Sequence, residues 1–124
     1  MIVTIPGCPD EGLSPNARLH WRRHAKLKAE ARGTAKWAAH DAVPMAQDWP
    51  AFDGPVRVRI TIGWGKGRKR VDPDNALAML KYHLDGLTGI VWADDKLCRF
   101  APVEQTRDPD GRGYVELRIT EETT

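Results

Sequence analysis

The chain has 124 residues, which on length alone is one domain, residues 1–124, with a modest core. Its composition is that of an ordinary soluble globular protein, and a formal net charge of +2 excludes a global basic field. Two isolated cysteines, Cys8 and Cys98, exclude a zinc cluster or disulfide framework, and no apolar run nears the roughly 20 residues of a membrane span.

In chain order, residues 2–5 alternate apolar and small polar side chains before Pro6-Gly7, a short strand and turn. The N-terminus is short and lacks the basic lead of a signal peptide, so the expected place is the cytoplasm, with reduced thiols. Ser14-Pro15-Asn16 is a turn ahead of a helix over about 18–42, with Trp37 and several alanines as its packing stripe. Gly33 is a point where that helix could bend, and Pro44 ends it. Val56, Val58, Ile60 and Ile62 alternate with Arg57, Arg59 and Thr61, a strand with one apolar and one basic face.

A glycine-rich basic loop comes next over 63–69, without the spacing of a nucleotide P-loop. A second helix is expected over 72–87, with Asp72 at the N-cap, Pro73 at the first helical position and Thr88-Gly89 as its stop. Residues 98–106 and 114–120 read as two strands joined by a hairpin at 108–113, and the tail over 121–124 as frayed. The order βαβαββ predicts an α+β domain with a mixed or largely antiparallel sheet packed with two helices.

The chemistry concentrates in Arg68-Lys69-Arg70-Val71-Asp72-Pro73-Asp74-Asn75, where three cations run into two carboxylates at the mouth of a helix. On that helix Leu77, Leu80, Leu84 and Leu87 form the expected core stripe. Asp74, Lys81 and Asp85 fall about 100° round from it, where a cleft residue would sit. Taken singly, Asp72 is a helix cap, Asp74 a partner for the helix dipole and Lys81–Asp85 an i, i+4 pair. Taken with Asp94-Asp95 and the adjacent cations, the carboxylates suit a Mg²⁺ ion held against a phosphodiester. A calcium EF-hand is excluded, because neither its glycine nor its terminal glutamate is in place.

Asp108-Pro109-Asp110 repeats the tripeptide, but Gly111 and Gly113 come after it and assign it to a turn. His20, His24, His40 and His83 form no ligand set, and neither Ser14 nor Cys98 has the partners of a nucleophile. Trp92 is expected in the core with Trp37, whereas Trp64, beside the basic loop, is open to packing or to stacking on a base.

These residues resemble the RusA-like endodeoxyribonucleases, a family of Holliday-junction resolvases. The likeness runs through Ser14-Pro15-Asn16, Arg68-Lys69-Arg70, Asp72-Pro73-Asp74-Asn75, Lys81, Asp85-Gly86-Leu87-Thr88-Gly89 and Val91-Trp92-Ala93-Asp94-Asp95. It implies a Mg²⁺-dependent homodimer that cuts four-way DNA junctions symmetrically, with Asp72, Asp74 and Asp95 as metal ligands and Asp94 as the alternative third. Some members carry the catalytic lysine four residues past the second Asp, which here is Ala78. The spacing of Lys81 before Asp85-Gly86-Leu87 matches the family, and the role passes to Lys81. Lys66, Arg68, Lys69 and Arg70 are expected on flanking phosphates, with Arg18, Arg22, Arg23 and Lys26 either extending that surface or simply solvated. The alternative is a non-catalytic or less selective branched-DNA-binding protein.

Overall fold

A computed structural model describes residues 1–122. Its elements are β1 (Ile2–Pro6), α1 (Trp21–Ala42), β2 (Val56–Trp64), α2 (Pro73–Met79), α3 (Lys81–Leu87), β3 (Cys98–Phe100), β4 (Glu104–Arg107) and β5 (Tyr114–Glu121). Short 3₁₀ turns lie at Glu11–Leu13 and Asp95–Leu97. The class is α+β, and the sheet is mixed. β5 runs antiparallel to β1 and to β2, while β3 and β4 lie end to end along the other edge of β2, both parallel to it.

The alternation in β2 produces this arrangement. Val56, Val58, Ile60 and Ile62 are fully buried, and Arg57 and Arg59 are exposed on the opposite face. β2 is paired on both sides, with β5 on one edge and β3 and β4 on the other. The segment 108–113 is therefore not a hairpin: it crosses the end of β2, with Arg107 beside Trp64 on one edge and Tyr114 beside Gly63 on the other. Gly63 leaves room there for the Tyr114 ring, which a Cβ would strike. The strand expected over 98–106 is two strands, because Pro102 cannot donate to the ladder.

α1 is one helix of 22 residues, beginning three residues later than expected and not split at Gly33. Leu27, Ala31, Ala35, Ala38 and Ala39 face the core. Alanines on α1 and Gly86 on α3 bring the two helices close, since a Cβ at Gly86 would meet the Arg32 carbonyl oxygen. Trp37 is not in the core: it is 73% exposed, one position short of the buried Ala38, whereas Trp92 is fully buried. Trp64 is also corrected. It ends β2 rather than entering the loop, it is buried, and its Nε1–H donates to Gln105 Oε1 at 2.9 Å, so it is closed to base stacking.

The helix expected over 72–87 tightens at Leu80, where φ −91° and ψ −3° separate α2 from α3. The buried residues are then Ala76, Met79, Leu80, His83, Gly86 and Leu87. Leu77 and Leu84, expected in the core, are only half-buried on its flank. Glu121 closes β5, and Glu122 carries ion pairs to Arg99 at 2.8 Å and Arg57 at 3.6 Å; the rest of the expected frayed tail, Thr123 and Thr124, lies outside the described residues. Cys8 and Cys98 are free thiols. No helix among the described residues is long and apolar enough to cross a membrane.

Candidate active-site cleft

A cleft of about 370 Å³ lies along α2 and α3. Its wall is Asp74, Leu77, Ala78, Lys81, Leu84 and Asp85 from the helices, joined by Asp95 and Phe100 from the far side of a turn. The half-buried leucines give it an apolar floor, and the polar stripe gives it a charged rim. Asp74 and Asp95, 21 positions apart in sequence, share this wall.

Asp72 is at the N-cap of α2, but its side chain makes no capping hydrogen bond, and it lies outside the cleft wall. The Ala76 amide is instead met by the Asp72 carbonyl at 2.9 Å. The joint before α2 is held by Gln105 of β4, whose Oε1 accepts from the Val71 amide at 3.0 Å and whose Nε2 donates to the Val71 carbonyl at 2.8 Å. Gln105 thus fixes the residue next to Asp72, a role with no sequence signal beyond a polar residue in a strand.

The adjacent aspartates have different work. Asp94 Oδ1 accepts from the Lys96 amide at 3.0 Å, capping the 3₁₀ turn, and this bond holds its carboxyl below the usual range, helped by a hydrogen bond shared with Asp95. Asp95 is pushed the other way, first by that shared hydrogen bond, then by desolvation and by the negative charges of Asp94 and Asp85. Asp85 thus joins the site, although the sequence offers it only as a member of the Asp74–Lys81 stripe and of the Asp85-Gly86-Leu87 motif, not as a metal ligand. No ion pair joins Lys81 to Asp85 among the described residues; the Lys81 Nζ lies 5.8 Å from the Tyr82 ring centroid. The Cys98 thiol is pushed up to about 12 by burial and then by Asp95 and Asp94, so it is not a nucleophile.

Among the described residues, no three acidic, histidine or cysteine side chains stand close enough to enclose one ion. Mg²⁺ does not require such a cage. It commonly binds one or two carboxylates and keeps water or substrate phosphate on its other positions. Hard oxygen donors on the wall of an open cleft, crowded enough to raise one carboxyl, fit that ion.

The basic loop divides into two kinds of cation. Arg68 is tied inward: its Nη2 donates to the Pro9 carbonyl at 2.7 Å, its Nε meets Glu11 at 3.4 Å, and its guanidinium stacks over Trp64 at 5.0 Å. In the free protein it ties the end of β2 to the N-terminal segment. Arg70 donates to the Gln105 carbonyl at 2.7 Å from an exposed position. Lys66 and Lys69 are exposed and carry no ion pair among the described residues. At the start of α1, Arg22 lies over the Trp21 ring and Lys26 reaches Glu30 at 4.0 Å, so both have local partners.

No family model matches the chain. Over 97 residues, 76% of its length, it is 35% identical to a protein of Xylella fastidiosa described as uncharacterized. The chain spans 60% of that relative's length.

Proposed function

We propose that the chain is a Mg²⁺-dependent endodeoxyribonuclease of the RusA-like kind, resolving four-way DNA junctions as a homodimer. The observation that carries this reading is the cleft in which Asp74, Asp85 and Asp95 stand with Lys81, on helices that the exposed basic loop leads into along the chain. Asp74 and Asp95 are the carboxylates that would hold the ion, and Asp72, free of any capping bond, stands at the same joint. Asp94 is the weaker candidate for third ligand, because its carboxylate is engaged by the Lys96 amide.

When bound, Mg²⁺ supplies Lewis acidity at a phosphoryl oxygen and a more acidic water. The protein's own groups do the rest. Lys81 presents its ammonium at the cleft wall, where negative charge accumulates on a phosphate under attack. Lys66 and Lys69 draw the backbone toward the cleft without reading sequence. Leu77, Leu84 and Phe100 reduce hydration around the charged rim, which strengthens its electrostatics. A symmetric cut at a junction needs two such clefts, which a two-fold dimer supplies.

The test is cleavage of a synthetic four-way junction, with and without Mg²⁺ and with excess competitor duplex. Wild-type protein should cut only with the ion, and Asp95→Asn should bind the junction in EDTA yet leave it whole. Binding without cutting by the wild-type protein at any Mg²⁺ concentration would favour a non-catalytic branched-DNA-binding role.

A further inference from the structure

The repeat that sends Leu27, Ala31, Ala35 and Ala39 of α1 into the core leaves Lys28, Arg32, Lys36 and His40 as a ridge one position round the helix. The ridge spans about 18 Å. At one end the Lys28 ammonium and Arg32 guanidinium lie 4.9 and 5.0 Å from the Tyr82 ring centroid, and Lys81 of the cleft approaches the same ring. No carboxylate pairs with any of these cations among the described residues. At the other end Lys36 and His40 line a groove of about 560 Å³ with Trp37, Trp49, Gly89 and Ile90. Trp37 is 73% and Trp49 51% exposed, and His40 meets Trp49 edge-on at 5.4 Å.

Two indoles left in solvent call for a flat apolar partner, and the unpaired cations leading to them call for a polyanion. An apolar peptide would use the rings and leave the ridge idle. A second copy docked face to face would set the ridge against itself. Asp41 and Asp48 line no part of the groove, although Asp48 borders an adjoining hollow. A nucleic-acid strand with unstacked bases satisfies both demands, since bases stack on aromatic rings while phosphates track the cations.

We propose that the Trp37–Trp49 groove is a stacking site for unpaired bases of a DNA strand whose phosphates track the Lys28–Arg32–Lys36 ridge away from the acidic cleft. What the cleft does with that strand rests on the nuclease reading; the stacking itself does not.

The experiment measures anisotropy of a labelled short oligothymidylate and of a blunt duplex, in EDTA, with wild-type protein, Trp37→Ala, Trp37→Phe and Lys36→Glu. Wild-type protein should prefer the single strand. Trp37→Ala should weaken oligothymidylate binding about 10-fold and duplex binding less than about 2-fold. Trp37→Phe should restore most of the loss, and Lys36→Glu should weaken both ligands. Equal oligothymidylate affinity for Trp37→Ala and wild type would overturn the proposal, as would no wild-type binding. So would a wild-type dimer that Trp37→Ala turns into a monomer in sedimentation, because the groove would then be a contact between copies. Junction cleavage is run in parallel. Cutting with no effect of Trp37 on binding sinks the groove and spares the nuclease, and the stacking pattern without cutting does the reverse.

Discussion

Asp-Pro-Asp occurs twice in this chain, at 72–74 and at 108–110, and the two copies have opposite fates. The Asp108 carboxylate closes a turn: Oδ1 accepts from the Asp110 amide at 3.0 Å and Oδ2 from the Gly113 amide at 2.9 Å. The Asp72 side chain makes no such bond, although it sits where a capping residue is expected. Proline at the first helical position already fixes the backbone of α2, and Gln105 clamps the residue before Asp72. The first copy therefore has carboxylates to offer a ligand, and the second has its leading carboxylate bound to backbone. Whether these three residues become a turn or the edge of a cleft depends on their C-terminal neighbours: two glycines at positive φ in one case, an amphipathic helix in the other.

The sharpest way to break this contrast is by activity. Asp74→Asn should lower Mg²⁺-dependent cutting of a four-way junction by about 100-fold or more, and Asp110→Asn should leave it within about 2-fold, measured as single-turnover rates. Equal effects would erase the distinction between the copies.

Acid tests an ionisable group that belongs to neither copy. Burial holds the His83 imidazole at about 4, against an ordinary 6.5, with the Met79 carbonyl only partly offsetting the loss of water. Its Nδ1 makes no hydrogen bond of normal geometry. As pH falls the unfolded chain takes up the proton first. Stability from this group is complete above pH 6.5 and is lost between 6.5 and about 4, by about 3 kcal/mol. Urea unfolding at pH 7 and pH 4 should show the loss, and His83→Gln should flatten it.

A smaller difference is expected in neutral-pH stability. Asp108→Ala should cost about 1–2 kcal/mol, because two amides lose a charged acceptor. Asp72→Ala should stay within about 0.5 kcal/mol, because no cap is removed. A comparable loss at both positions in urea titrations would mean that Asp72 is only structural. The smallest effect separates the cations of the loop. Lys69→Ala should lower the slope of log affinity against log salt by about 1 without moving the melting temperature. Arg68→Ala should lower the melting temperature, since its guanidinium ties the strand end to the N-terminal segment.

Much of the fold is legible in the sequence because its signals are local. The period of two in β2 and the Asp-Pro start of α2 each depend on neighbours a few positions away, and each holds in the structure. The acidic stripe is legible for the same reason, since Asp74, Lys81 and Asp85 belong to one helical face. Sequence and structure part where a residue's environment is supplied by distant chain. Trp37 reads as core because it is large and apolar, but the buried face of α1 is mostly alanine and meets α3 at Gly86. Trp64 and Arg68 read as parts of an outward loop; β4 and the segment before α1 draw them inward. The phase of the second helix shifts by a 3₁₀ step at Leu80, which no glycine or proline announces.

By itself, then, the order of residues determined which side chains are acidic, basic or apolar on each element, because helical and strand periods are set by the backbone alone. Only tertiary packing decided that Asp95 turns to Asp74 while Asp94 caps a turn, that Gln105 clamps the helix joint, and that two tryptophans stay in solvent beside a basic ridge. Those outcomes depend on which distant surfaces meet, and the available volume and unsatisfied hydrogen bonds at such meetings are properties of the whole fold.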